Sequence, residues 1–425
     1  MTSSEWIRTQ WGTRARPFSQ YSEAECRNLL RNVQNLMEEI VETTGISVFV
    51  SYGVLLGGQR NGELIQNDFD VDVIFHSACA DDVLANCKLL STFLVHIGAE
   101  LRPKNNGQFT AVIDRRSQKF KVEFFAGWDE RGMYFQYFAI PGSIPTTDIF
   151  PLSTVQILNV PLLAPRDPIS SLKAIYGPGW QTPDPDFTYK FTSDTWKPFK
   201  FLFSVDRKQK KFWENYYSSP GTELVGSSNP SDFALFAASQ IERHSVVVEF
   251  GCGNGRDTLH FLRHGCDVLA IDYCSSALQL VNSAASQLQV SLRTQELNLN
   301  NIPEVLKFIA RNPQSADHLY ARFLTHALND VGVKNLATIA EEVLRPGGRF
   351  YLEFRTRPEG TLEDNFSEQE IFENGIHFRR FRTLEETTKF FTKGKFLVSY
   401  TLVAKGLARL GKEDPLIARA VLTRR

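Results

Sequence analysis

Apolar residues recur at helical spacing over residues 22–44, with Leu29, Leu30, Val33, Leu36, Met37 and Ile40 on one stripe. Two apolar runs follow, "ISVFVSYGVLL" and "DVDVIF", which read as strands joined through a Gly-rich turn. A helix near 81–97, a strand pair in "FTAVIDRR" and "KFKVEFFAGW", and a short helix in "PISSLKAIYG" come next. Past the Pro- and Asp-rich "PGWQTPDPDF", residues 190–210 turn rich in Lys, Phe and Trp. From about 211 strands alternate with helices, the rhythm of a doubly wound α/β domain. This change predicts an α/β chain of two domains, 1–195 and 211–425, joined by a connector over 196–210.

Composition narrows the function classes. The 425 residues suffice for two cores. With 47 basic against 48 acidic residues, the balance argues against a general nucleic-acid binder. The first residues lack the apolar centre of a signal peptide, and no apolar run reaches the length of a membrane span. Six cysteines without a CxxC pair suit reduced, mainly structural thiols, so a cytoplasmic enzyme is expected, with peripheral association at the inner face of a membrane compatible.

The stretch "NDFDVDVIF" puts Asp68, Asp70 and Asp72 at alternate positions, which predicts three carboxylates on one face of a strand. Like charges so crowded repel, and a divalent cation that also meets phosphate oxygens would compensate them. Glu123 in "KFKVEFF" is the candidate third ligand from a neighbouring strand. Gly57 and Gly58 read as a tight turn whose amides approach a phosphate, and Arg60 as either a diphosphate contact or a helix-surface charge.

These residues, over roughly 25–187, resemble the LicD/fukutin family of the polymerase-β-type nucleotidyltransferase superfamily. Gly53, Leu55, Leu56, Gly57, Arg60, Gly62, Ile65, Asp68, Asp70 and Asp72 stand in matching places, as do Tyr176, Gly177 and Trp180 of a later Tyr-Gly-x-x-Trp element. Val54 departs from a usual Thr or Ser, and Gln66–Asn67 from Pro–Trp. The resemblance implies a nucleotidyltransferase-like α+β domain that moves a phosphorylated alcohol from a CDP-linked donor to a hydroxyl of a glycan or lipid-linked glycan. Mg²⁺ or Mn²⁺ on Asp70, Asp72 and Glu123 would serve the donor diphosphate, and one of these carboxylates or Asp68 would take the acceptor proton.

In the second half, "SVVVEFGCGNGRDTLHFLRHGCDVLAIDYC" is a strand, a Gly-rich turn, a helix and a strand ending in an acid. The dinucleotide pattern fails because Arg256 holds its third glycine position. What stands instead is Glu249, Gly251, Gly253 and Gly255, with Asp272 placed to accept ribose hydroxyls. This resembles the class I S-adenosylmethionine-dependent methyltransferases, a Rossmann-like fold. The resemblance implies that Asn298 meets the adenine edge, that "DHLYARF" is the fourth strand, that "LRPGGRFYLEF" follows it, and that the chain closes on an antiparallel strand pair.

For the methyl acceptor, His326 past the fourth strand is a candidate catalytic residue, with a structural histidine as the alternative. Arg355, Arg357, Arg379, Arg380 and Arg382 follow the fifth strand, and among them Arg355 and Arg379 are the candidate contacts to a phosphorylated acceptor. The alternative is a solvated basic face paired with Glu359, Glu363 and Asp364. The favoured reading is a bifunctional glycan-modifying enzyme. An RNA- or nucleotide-modifying enzyme, and a methyltransferase with a non-catalytic N-terminal binding module, are the competing accounts.

Overall fold

The computed structural model describes residues 7–8, 14–115, 118–184, 187–189, 195, 197–203, 207–219, 221, 229–358, 369–372, 375–392, 395–409 and 413–425. The chain divides into two compact units, Met1–Phe203 and Ser204–Arg425.

The first unit starts from α1 (Glu23–Thr44), whose boundaries are written in its ends. Ser22 and Glu25 form a reciprocal capping box, and Gly45 closes the helix in the left-handed conformation. Its apolar stripe is buried, with Leu30, Val33 and Ile40 fully covered. Next come β1 (Val48–Val50), α2 (Tyr52–Arg60), β2 (Val71–Ser77), α3 (Val83–His96), β3 (Glu100–Asn105), β4 (Gln108–Arg115) and β5 (Gln118–Glu130). These strands form a mixed sheet in the order β1-β2-β5-β4-β3, in which β2 and β5 are parallel. The short β6 (Met133–Gln136) and β7 (Ile144–Pro145) extend β5, and β8 (Ser153–Ile157) pairs with β9 (Val160–Ala164) as a separate hairpin. The unit continues through α4 (Pro168–Tyr176), and the 3₁₀ turn Lys197–Leu202 also packs into it. Phe199 lies against Trp128 and Tyr137, and Leu202 accepts the Asn106 amide hydrogen.

Two expectations fail here. "YGVLLGGQR" is the helix α2, not a strand and turn. A continuous apolar run fits a buried helix as well as a buried strand, and periodicity does not separate them. Of the three aspartates only Asp72 belongs to a strand, while Asp68 and Asp70 precede it in a loop.

The second unit opens with α5 (Arg207–Ser218) and α6 (Asp232–Ala238). It then alternates β10 (Val246–Phe250), α7 (Arg256–His264), β11 (Asp267–Asp272), α8 (Ser275–Gln287), β12 (Arg293–Glu296), α9 (Ile302–Arg311), β13 (Ala316–Arg322), α10 (Asp330–Val343) and β14 (Leu344–Arg355). After α11 (Leu384–Thr392) come β15 (Phe396–Ala404) and β16 (Ile417–Arg424). The sheet order is β12-β11-β10-β13-β14-β16-β15, parallel as far as β14 and antiparallel in the last two strands. Strand alternation divides the core in two. Val248, Leu319 and Leu352 pack with Val305, Leu336 and Phe391 on one face. Val247, Tyr320 and Tyr351 pack with Phe233 and Phe261 on the other. The expected Rossmann-like layering with its closing antiparallel pair is present. Crossovers leave β10 in both directions, so its carboxyl end is the topological switch point where such sheets open a crevice.

Among the described residues no helix is long and apolar enough to cross a membrane. The six cysteines are free, and all but Cys79 are buried.

Candidate functional sites

In the first unit the parallel pairing of β2 and β5 sets Asp72 opposite Glu123. Asp70, just ahead of β2, completes a cluster: one carboxylate oxygen from each of Asp70, Asp72 and Glu123 lies within 4.8 Å of the others. The loop that carries Asp68 and Asp70 is fixed by main-chain bonds, Phe18 N–H to the Asp68 carbonyl and Ser19 N–H to the Gln66 carbonyl, both 2.8 Å. Asp68 stands beside the cluster and shares a side-chain hydrogen bond with Asp70. Its carboxylate fills the space over Gly53, where a Cβ would sit 2.0 Å from Oδ2. Glycine is therefore required at the start of α2 for the acid to come this close.

Burial first, then the neighbouring carboxylates, push Asp70 and Asp72 well above the ordinary carboxylate range. Burial likewise pushes Asp68 up, to about 6. One cation of the protein already answers part of this charge: Lys104, on β3, is ion-paired with Glu123, which also accepts from Gln108 Nε2 at 2.6 Å. Sequence reasoning missed Lys104 because its neighbour Pro103 obscures the strand and its partner lies two strands away in the sheet. The carboxylate set fits a divalent cation: hard oxygen donors, converging from a loop and two paired strands.

Gly57, Gly58 and Arg60 prove to be packing and bracing residues. A Cβ on Gly57 would lie 2.3 Å from the Glu63 carbonyl oxygen, and one on Gly58 would lie 2.8 Å from Val155. These glycines stand inside α2 and not in the expected turn, and they let the helix approach its neighbours. Arg60 donates to the carbonyls of Trp180 and Thr182, so it is not an idle surface charge. An aromatic cavity of about 430 Å³ lies in the same unit, lined by Tyr137, Phe138, Tyr176, Phe187 and Tyr189 with Lys173. Burial pushes both Tyr176 and Tyr189 upward, and the Asp72 and Asp68 charges add to it, which sets this cavity near the acids.

In the second unit the loop after β10 turns through Gly251, Gly253 and Gly255 at φ of 71°, 53° and 79°. Glycine is demanded twice over at Gly255, where a Cβ would also meet Val281 Cγ2 at 2.1 Å. Asp272 ends β11 and accepts from Gly253 N–H and Cys274 N–H, each at 3.0 Å. Glu249 accepts from Thr258 Oγ1, and burial pushes its carboxyl to about 8. Asn298 Oδ1 accepts the Asn300 amide hydrogen at 3.0 Å. Glu249, Gly251, Gly253, Asp272 and Asn298 line one cavity of about 380 Å³ at the switch point. Its size, the open glycine loop and the strand-end acid fit an adenosyl ligand.

The far wall of this cavity includes Trp213, Tyr216 and Tyr217 of α5. Glu214 ties that helix down by accepting from the amides of Ser275 and Ser276, each at 2.9 Å, which caps α8. Helix α5 runs across the boundary expected between connector and domain at 210–211, and its crowded aromatics are the sequence signal for it. His326 is buried and lines the cavity, and its Nδ1 accepts the Arg355 amide hydrogen at 3.3 Å. That bond occupies the acceptor lone pair of Nδ1.

Of the arginines past the fifth strand, Arg355 and Arg379 line the cavity. Arg357 is bound to Glu386 and to the Phe381 carbonyl, and Arg380 and Arg382 to Asp330. Glu359, Glu363 and Asp364, the expected partners, lie outside the described residues.

Residues 45–167 match the family LicD/FKTN/FKRP, nucleotidyltransferase domain, and residues 247–348 match the family Methyltransferase domain. No curated protein matches the chain. Solved structures similar to it include a SAM-dependent methyltransferase from Methanosarcina mazei (17% identity, 44% of this chain and 96% of that one, TM-score 0.38). Another is Burkholderia thailandensis 1,6-didemethyltoxoflavin-N1-methyltransferase with bound 1,6-didemethyltoxoflavin and S-adenosylhomocysteine (15%, 51% and 86%, 0.39). A third is TehB from Haemophilus influenzae (14%, 51% and 67%, 0.37). The chain thus joins a LicD-type domain to a methyltransferase domain.

Proposed function

We propose that this chain is a bifunctional glycan-modifying transferase. Its first unit moves a phosphorylated alcohol from a CDP-linked donor to a glycan hydroxyl, and its second methylates the glycan or the new substituent with S-adenosylmethionine. The observation that carries the first half is the convergence of Asp70, Asp72 and Glu123 within 4.8 Å in a domain of LicD type. Those three residues would hold a Mg²⁺ or Mn²⁺ ion, which would supply positive charge to the donor diphosphate. Lys104, beside Glu123, adds a fixed positive charge to the same pocket. Asp68, outside the three-carboxylate set but bonded to Asp70, accepts the proton of the attacking hydroxyl. The aromatic cavity near these acids offers ring faces to the apolar side of a sugar or base.

In the second unit Asp272 faces the ribose, Asn298 the adenine edge, and the glycine loop the remainder of the cofactor, all around the 380 Å³ cavity. S-adenosylmethionine supplies an activated methyl group there, and the protein's task is alignment for in-line displacement. The test is a screen of CDP-alcohols with Mg²⁺ on glycan acceptors, run beside calorimetry with S-adenosylmethionine. Transfer lost in Asp70→Asn or Asp72→Asn is the expected result. Unchanged transfer in both variants contradicts the metal role.

A further inference from the structure

The cavity of the second unit is lined by charges of both signs, among them Arg256, which is paired with Asp257 at 3.7 Å, and Arg322, which is paired with Glu353. Its acids, Glu249, Asp257 and Asp272, belong to the glycine-loop region and are bonded there to Thr258, to Ser231 and Tyr320, and to the amides of Gly253 and Cys274. Beside His326 stand two further arginines. The Arg355 amide donates to His326 Nδ1, and the Arg380 amide donates to the His326 carbonyl at 2.8 Å. Two separate chain segments are therefore drawn to one histidine, and each presents an arginine to the cavity, Arg355 and Arg379.

We propose that the methyl acceptor of this unit is a phosphate monoester held by Arg355 and Arg379; the proposal rests on the methyltransferase reading above. Arg355 is paired at 2.9 Å with Glu413, whose side chain is 53% exposed. Such a solvent-screened pair contributes only about 0–1 kcal/mol, and a phosphate dianion competes with it through charge-assisted bonds to the same planar fork. The Arg379 guanidinium lies over the Trp213 ring at 5.6 Å, which holds it at the cavity wall. An alcohol acceptor must lose a proton, whereas His326 Nδ1 is already taken by the Arg355 amide hydrogen. A phosphate monoester has a second pKa of about 6 and is largely a dianion at neutral pH. One of its oxygens attacks the methyl carbon; the O–C bond forms as the C–S bond breaks, and that electron pair returns to sulfur. The products are a methyl phosphodiester with one negative charge and neutral S-adenosylhomocysteine, with no proton transferred.

The experiment gives the full chain S-adenosylmethionine labelled in its methyl group and compares mannose 6-phosphate, mannose and glucuronate. Label is expected in mannose 6-phosphate, as a phosphatase-resistant diester, at least about ten-fold above either other acceptor. Arg355→Gln and Arg379→Gln should each raise its KM about ten-fold, Arg355→Lys less, with S-adenosylhomocysteine affinity unchanged. Equal labelling of mannose or glucuronate overturns the proposal, as does no labelling of the phosphate by protein that binds S-adenosylhomocysteine. Failure to bind S-adenosylhomocysteine at all overturns the methyltransferase reading itself.

Discussion

In the first unit Asp72 and Glu123 face each other across paired strands with Asp70 beside them, whereas in the second Asp272 ends a strand against the amides of Gly253 and Cys274. The first arrangement concentrates negative charge, and its cost appears in the raised affinity of Asp70 and Asp72 for protons. The second uses its carboxylate to hold a loop, and the same backbone bonds partly offset the burial that pushes Asp272 up. On the proposed function, the crowded acids are the cation's ligands and the backbone-held acid shapes a pocket for a neutral sugar. The contrast separates two electrostatic designs that composition alone, with 47 basic and 48 acidic residues, conceals.

The sharpest way to break this contrast is Asp72→Asn, which removes a ligand from the cluster. CDP-alcohol transfer should fall by about a thousand-fold or more, while the melting temperature in chelator holds or rises because a repulsive charge is gone. A fall in metal-free stability would mean that the acids are structural. Next comes Gly255→Ala in the other site, where φ of 79° and Val281 at 2.1 Å leave no room for a methyl group. Denaturant unfolding should show a loss of about 1–3 kcal/mol, and calorimetry a lost S-adenosylmethionine site. Asp272→Ala should weaken that cofactor by about 1–3 kcal/mol with phospho-alcohol transfer nearly unchanged; parallel loss of both activities would show the units to be coupled.

A titration sharpens the comparison further. Glu249 has its carboxyl at about 8 in the folded protein against 4.5 ordinarily. Between those values the native state holds a proton that the unfolded state releases, so this group makes stability fall as pH rises from 4.5 to 8. Glu249→Gln should flatten that part of a stability-against-pH curve, and an unchanged slope would assign it to other groups. The smallest effect is Arg60→Ala, which loses the bonds to the Trp180 and Thr182 carbonyls. It should cost about 1 kcal/mol in unfolding experiments, with the KM for the CDP donor unchanged.

The two halves were not equally legible in sequence. In the second, strand, glycine turn and terminal acid are local, so β10, β11, β13 and β14 follow from short-range pattern. In the first, the site is assembled by strand pairing, and pairing is invisible to periodicity. Glu123 was found through its residue type, but Lys104 was not, since nothing near it in sequence points to Glu123. The alternation of Asp68, Asp70 and Asp72 suggested one strand face, yet main-chain bonds to Phe18 and Ser19 hold the first part as a loop. The apolar run that became α2 shows the same limit, and so does α5, whose aromatics join the cavity wall through the Glu214 cap.

The central claim is that Asp70, Asp72 and Glu123 hold a divalent cation, and Mn²⁺ binding to the full chain, followed by electron paramagnetic resonance, tests it most directly. The account predicts saturable Mn²⁺ binding that Mg²⁺ displaces and that Asp72→Asn abolishes. Mn²⁺ binding unaltered by that substitution, or no binding by the unmodified chain, would contradict it.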